Sequence, residues 1–243
     1  MQRSMYRSIN AVIPVYNEGE NIVGLLKEMQ RKVKTPCRIY IVYDFEEDNT
    51  PAAVKAYMQD NANIYLVKNR FGRGPANAIK TGFEAVDDGI VLVLMADRSD
   101  DLVRVDEMFK KVNEGYDVVC GSRYMKGGKQ TGGPRLKKLL SRIAGISLHY
   151  LIGVPTHDIT NSFKMYTKKV IDDMTIESKD GFELGMEIVL KAFINGYKIT
   201  EVPCVWRCRS VGRSRFRLWK WLPKYLKWYV YGIKTKPKTG AFF

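Results

Sequence analysis

The 243-residue sequence predicts an α/β domain with a mostly parallel sheet covered by helices on both faces, followed by a basic amphipathic C-terminal helix. Three observations predict it. Short runs of β-branched and aliphatic residues alternate with segments whose apolar residues recur at helical spacing. Such alternation favours a parallel sheet, because each crossover helix returns the chain to the same edge. Polar clusters follow the strand-like runs, where ligands bind in open α/β sheets. Finally, a hydrophobic content of 45% in a chain of this length is enough for one large core.

The elements follow in order. Residues 8–15, SINAVIPV, read as a buried strand, and the segment after it spaces Ile22, Leu25, Leu26, Met29 and Val33 as a helix. The pattern repeats as strand 38–43, helix 50–60, strand 63–67, a glycine-rich turn, helix 75–86, strand 90–95 and helix 102–113. From residue 116 the rhythm changes: YDVVCGSRY is a short strand ending in arginine, MKGGKQTGG a flexible loop, and residues 135–152 a basic amphipathic helix. DITNSFKMY and the segment from Gly181 to Trp206 supply further strand, helix and strand. No repeat or low-complexity linker interrupts the chain, so residues 1–216 form one domain and 217–243 an appendage.

Charge is concentrated in that appendage and the segment leading to it. The formal net charge is +14, and residues 202–243 hold five arginines and six lysines but no acid. A field of this sign attracts a polyanion: nucleic acid, anionic lipid or a phosphate-bearing substrate. Nucleic acid is disfavoured, since the charge is confined to the tail and no RNP-type or helix-turn-helix signature is present. In the tail, Leu218, Trp221, Leu222, Tyr225, Trp228 and Tyr229 share one helical stripe flanked by Lys220, Lys224 and Lys227, with Pro223 a candidate kink. Lysines with Trp and Tyr suit a helix at a membrane interface. The same stripe also suits packing on the domain or on a small membrane subunit. No apolar run approaches the ~18 residues that span a bilayer, and no signal peptide is evident. Cys37, Cys120, Cys204 and Cys208 lack paired spacing and read as free thiols of a reducing compartment.

The strand ends carry the candidate chemistry. After the first strand, Pro14 and Tyr16 offer a rigid edge and an aromatic face, and Glu18 an acceptor for a ribose or base. After the second, Asp44 leaves the strand, while Asp48 and Thr50 suit the cap of the next helix. The glycines of RFGRGPANAIKTG come after the third strand, not in the first βα turn, which argues against a dinucleotide fold, and the GK-Ser/Thr of a P-loop is absent.

Taken together, VIPVYNEGENI, DFEEDNT, FGRGPA, MADRSDD, GSRY and RSVGRSR, in this order and spacing, resemble the family 2 glycosyltransferases of GT-A fold, in particular the dolichol-phosphate mannose synthase-like polyprenyl-phosphate glycosyltransferases. The resemblance runs from about residue 9 to 216. It implies that Pro14, Tyr16, Glu18, Val42, Asp44 and Ala76 line the nucleotide, and that Ala96 and Asp97 occupy the last two places of a metal-binding Asp-Ala-Asp, with Ser99 a further position near the metal. It places Arg123, Arg209 and Arg215 toward the donor diphosphate and the acceptor phosphate, with Arg135 beside Arg123 on the acceptor side. Two places depart from the pattern: Tyr43 stands in the second motif's double aspartate, and Met95 replaces the first metal aspartate.

The activity this implies is inverting transfer of a sugar from a nucleoside diphosphate to polyprenyl phosphate at the cytoplasmic face of a membrane, with Asp97 and Arg123 as catalytic residues. Mg²⁺ or Mn²⁺ would offset the charge of the leaving diphosphate, and because Mg²⁺ keeps several waters, Asp97 can hold it with the donor phosphates. A hydroxyl acceptor needs a general base, for which Asp158 and Glu187 are candidates; an ionised lipid phosphate needs none, leaving both to structural roles. A glycan acceptor and a degenerate, non-catalytic homologue are the alternatives, the second resting on Met95 and Tyr43. His149 and His157 suggest no metal triad.

Overall fold

The computed structural model describes residues 5–59, 61–179, 181–208 and 218–235. The chain runs β1 (Ile9–Pro14), α1 (Glu20–Lys32), β2 (Cys37–Tyr43), α2 (Thr50–Met58), β3 (Ile64–Lys68), α3 (Pro75–Glu84) and β4 (Ile90–Val93). A 3-10 turn, Leu102–Arg104, leads into α4 (Val105–Asn113). There follow β5 (Val118–Ser122), β6 (Lys129–Thr131), α5 (Arg135–Ile152), β7 (Lys164–Thr167), α6 (Lys168–Asp172), α7 (Leu184–Ile194), β8 (Ile199–Pro203), β9 (Val205–Arg207) and α8 (Leu218–Lys234).

Seven strands form one sheet in the order β3-β2-β1-β4-β7-β5-β8. All neighbours are parallel except β7, which is antiparallel to β4 and β5. The chain moves outward from β1 through β2 to β3, then returns to lay β4 on the other side of β1. That reversal opens a crevice between the carboxyl ends of β1 and β4, the switch point where such sheets bind ligands.

Strand alternation divides the core into two layers. Val12, Val42, Val91 and Val93 face α3 and α7, whereas Ala11, Ile13, Ile41 and Leu92 face α1 and α4. Both faces are covered, so β1 is buried throughout. Gly82 lets α3 lie close on the sheet, because a Cβ there would collide with Val12.

Several expectations need adjustment. The fourth strand stops at Val93, since the Met95 N–H turns aside to the Asp100 carboxylate at 2.8 Å. The MKGGKQTGG segment is not simply a loop: Lys129–Thr131 pairs in parallel with Val205–Arg207. The tail helix lies on the body, packed on α5 and α7, and Pro223 stands inside it without ending it. Trp228 is buried with its Nε1 donating to Ser178 Oγ at 3.1 Å, and Tyr229 Oη meets Ser147 Oγ of α5 at 2.9 Å. The aromatic stripe thus faces the body of the domain. The expected boundary at 216/217 falls outside the described residues.

Candidate active site

A single cleft of about 960 Å³ runs from the β1/β4 crevice to a groove between α5 and α8. Its two ends differ in chemistry.

At the sheet end, the β1–α1 loop is held from below by the segment after β2. Asp48 accepts from Asn17 N at 2.9 Å and Thr50 N at 2.8 Å, and Thr50 Oγ1 accepts from Glu18 N at 3.0 Å. Asp48 and Thr50 therefore start α2 and also fix the loop that carries Tyr16 and Glu18. Pro14, Tyr16, Glu18 and Asp44 all line the cleft. The Asp44 carboxylate accepts from Asn69 Nδ2 at 2.7 Å and Gly74 N at 3.0 Å, which shapes the glycine turn after β3. Gly74 has φ 128°, a backbone that L side chains rarely adopt. The turn delivers Arg73, whose guanidinium lies 4.7 Å from the Phe45 ring centroid, while Tyr16 meets the same ring edge-on.

Val42 and Ala76 are not brought to the wall. Both side chains are fully buried in the layer beneath α3, where strand alternation and the helix's inner face direct them. Arg73, Gly74 and Pro75 line the cleft instead. Arg73 was legible as the cation between the two glycines of FGRGPA.

Beyond β4, Met95, Ala96, Asp97 and Ser99 line the cleft. Asp97 is half-buried, and its only hydrogen bond among the described residues is from Ser99 N to Oδ1, at 3.1 Å. Ser99 is itself buried, its carbonyl accepting from Arg207 N at 3.1 Å. Asp100 turns inward: Oδ2 holds Met95 N, and buried Oδ1 has no hydrogen-bond partner among the described residues. Burial, reinforced by the Asp97 charge, pushes its carboxyl up to about 7. Asp100, turned onto the Met95 N–H, does not line the cleft and does not replace the missing first aspartate, so Asp97 is the carboxylate this segment offers there. Among the described residues no cluster of three His, Cys, Asp or Glu side chains could hold an ion. The set still fits Mg²⁺ or Mn²⁺ bound mainly through substrate phosphates and water.

Arg123 reaches the cleft wall already committed. Its Nε and Nη2 grip the Asp158 carboxylate at 2.6 and 2.9 Å, its own N–H adds a bond at 3.0 Å, and Nη2 also reaches Thr160 Oγ1 at 3.1 Å. Burial opposes both charges, but each partner outweighs it, holding Asp158 below the usual carboxylate range and Arg123 above its own. Arg123 therefore braces the cleft wall, with its Nε and Nη2 edge taken by Asp158 and Thr160. Glu187 is equally structural: it accepts from Glu177 N and Ser178 N at 2.6 and 2.8 Å and pairs with Lys191. Neither acid is placed as a general base.

Arg135, exposed at the start of α5, does not reach the cleft wall. Lys137, two residues on, does line it, with Ser141 and Ala144 following on the same helical face. Burial, then the nearby Arg123 charge, pushes the Lys137 ammonium down to about 8, with Asp97 opposing that shift. Helical periodicity within α5 could have found it. Arg209 and Arg215 lie outside the described residues.

Beyond Lys137 the wall turns mostly apolar, with Ser141 and Lys220 among its polar members. Leu140, Ala144 and Ile143 of α5 face Leu222, Tyr225 and Leu226 of α8 across it. Trp221 covers Gly181, where any Cβ would strike its ring.

Residues 10–175 match the family described as glycosyl transferase family 2. The chain belongs to this family. It is a glycosyltransferase with the α/β architecture expected from the sequence. It is 30% identical over 213 residues to polyprenol monophosphomannose synthase of Mycolicibacterium smegmatis, covering 84% of this chain and 79% of that one. It is 26% identical over 216 residues to dolichol-phosphate mannosyltransferase of Pyrococcus furiosus, covering 86% of this chain but 59% of that longer protein. In fold it is similar to glucosyl-3-phosphoglycerate synthase of Mycobacterium tuberculosis, solved with Mn²⁺, UDP-glucose and phosphoglyceric acid. The TM-score is 0.71 at 15% identity, covering 96% of this chain and 82% of that one.

Proposed function

We propose that this glycosyltransferase moves a sugar, with inversion, from a nucleoside-diphosphate sugar to a polyprenyl phosphate at the cytoplasmic face of a membrane. The observation that carries the reading is the continuity of one cleft, polar at the strand ends and apolar between α5 and α8. A glycan acceptor has no use for the apolar half, whereas a lipid phosphate fits both. The names of the two sequence relatives, one a polyprenol and one a dolichol-phosphate enzyme, support it.

On this reading Tyr16, Phe45 and Arg73 receive the nucleoside end, and Glu18 and Asp44 lie beside it. Asp97 stands at the donor diphosphate. Bound there by Asp97 and phosphate oxygens, Mg²⁺ or Mn²⁺ would neutralise charge on the leaving group. Lys137 meets the acceptor phosphate, whose dianionic charge favours its ammonium form. The acceptor oxygen is already ionised and attacks the anomeric carbon from the face opposite the diphosphate, so no side chain need take a proton. The engagement of Asp158 and Glu187 in internal pairs agrees with that chemistry.

The test is incubation with radiolabelled nucleotide sugars, Mg²⁺ or Mn²⁺ and polyprenyl phosphate, followed by organic extraction. Label in the organic phase is the expected result. Label that stays aqueous, or moves onto a soluble glycan, overturns the lipid acceptor. A thermal-shift panel of nucleoside diphosphates identifies the base, because a ligand that binds only the native state raises Tm.

A further inference from the structure

Among the described residues, two that are not glycine hold a positive φ, and both lie in loops at the donor end of the cleft: Asn17 at 50° after β1 and Arg98 at 61° after β4. Asparagine tolerates this region because its short side chain bonds locally; for arginine the Cβ crowds the following carbonyl. A contact from outside the loop has to hold Arg98 there. The loop is closed by two bonds, Met95 N–H to Asp100 and Ser99 N–H to Asp97 Oδ1. Arg98 lies between the partners of the second, so its left-handed backbone sets how the Ser99 N–H meets the Asp97 carboxylate. The hold comes from α1. Arg98 Nη2 donates to Glu28 Oε1, while Nη1 lies over Gly24, where an added Cβ would come within 3.2 Å of it. Gly24 and Glu28 are four residues apart and share one face of the helix. Glycine inside a helix costs stability against alanine; here it leaves a seat for the guanidinium. Burial opposes the Glu28 charge, but hydrogen bonds from Arg98 and Lys32 outweigh it and hold the carboxyl below its ordinary range.

We propose that Arg98 is a positioning residue for the metal: clamped to α1 by Glu28 and seated at Gly24, it keeps its own backbone left-handed and so presents the Asp97 carboxylate to the cleft. The proposal rests on the reading of Asp97 as the carboxylate that holds Mg²⁺ or Mn²⁺ with the donor phosphates. Arg98 does not line the cleft and acts through Asp97. Such a clamp counts for more in this chain because Met95 occupies the place of the first aspartate. A carboxylate that must hold an ion without a companion gains most from being fixed beforehand. The clamp also ties the loop after β4 to the helix that follows the loop after β1, so the two sides of the switch point are held together. A purely electrostatic role would have the opposite sign, since a guanidinium beside a cation site repels the ion. Removing Arg98 would then tighten metal binding, whereas removing a clamp loosens it.

The test titrates Mn²⁺ calorimetrically into the full chain in the presence of GDP and, separately, of UDP, with Tm measured on the same samples. For Arg98→Ala the expected result is a Mn²⁺ dissociation constant raised about five- to tenfold, at a Tm near the parent's. Glu28→Gln, outside the cleft, should raise it about threefold and add little to Arg98→Ala in the double variant, because both break one contact. Arg98→Lys keeps a cation for Glu28 and should stay within about twofold of the parent. Arg98→Gly should bind Mn²⁺ more tightly than Arg98→Ala, because glycine takes a positive φ freely. Asp97→Ala is the control for the underlying reading: if it binds Mn²⁺ as the parent does, or if the parent binds none with either nucleotide, the metal assignment fails and the clamp with it. If Asp97→Ala loses binding while Arg98→Ala keeps or tightens it, the clamp is overturned and the metal reading stands. A lowered Tm with unchanged Mn²⁺ affinity also overturns the clamp, by showing a structural role alone.

Discussion

The two ends of the cleft are built on different principles. At the donor end, side chains are fixed by backbone hydrogen bonds from loops at strand termini: Asp48 on Asn17, Asp44 on Gly74, Ser99 on Asp97. At the acceptor end the walls are helices joined mainly by apolar packing, with the Tyr229–Ser147 hydroxyl pair also linking α5 to α8. A donor with a constant nucleotide is best met by a rigid cradle, a long flexible chain by a greasy slot. The difference teaches that one substrate is recognised by geometry and the other mostly by medium.

Substitutions that respect this division should separate the two functions. The largest effect is expected from Asp97→Ala, which should lower transfer by a factor on the order of 10² or more while leaving Tm within a degree or so. Steady-state assay with excess metal checks it. Next, Asp158→Asn strands the buried Arg123 charge and should cost about 3–5 kcal/mol in urea unfolding at neutral pH. The sign with pH follows from the Asp158 carboxyl, which is held below its ordinary value. Its contribution is complete above about pH 4 and is lost as pH falls further, so parent and variant should converge in acid.

Those two predictions rest on residues of unequal legibility. Asp97, Tyr16 and Glu18 were readable because each follows a strand at the sheet's carboxyl edge, where backbone geometry dictates exposure. Val42 and Ala76 turn their side chains into the core, because a motif marks a position in the chain but not which side of the sheet its Cβ takes. Arg123 was found, but its long-range partner Asp158, 35 residues away, decides its role, and nothing local announces that pairing. In α8 the helix was legible and its facing was not. Its covered and exposed stripes are both apolar, so helical spacing alone does not say which one the body covers. The overall α/β order was legible from hydrophobic periodicity, whereas the β6–β9 ribbon joins two three-residue strands too short to show one.

Smaller effects sharpen the acceptor end. Lys137→Ala should reduce kcat/KM for lipid phosphate by about 10- to 100-fold, with donor affinity unchanged and Lys137→Arg largely restoring activity. Arg135→Ala, at an exposed site outside the cleft, should change kcat/KM by less than about twofold. The smallest effect belongs to Met95→Asp, which should leave kcat near the parent value and lower the metal concentration for half-maximal activity by a few-fold, roughly 2 to 5. Metal titration by isothermal calorimetry in the presence of nucleoside diphosphate reads that shift without turnover.

The claim that one cleft joins a donor cradle to a lipid groove is tested most directly by acceptor chain length. Ala144, on the groove wall in α5, is the position to fill. In the parent, lengthening the prenyl chain should lower the KM for the acceptor. Ala144→Trp should abolish that gain while sparing transfer to the shortest prenyl phosphate. A KM indifferent to chain length, or a variant that impairs short and long acceptors alike, would contradict the account.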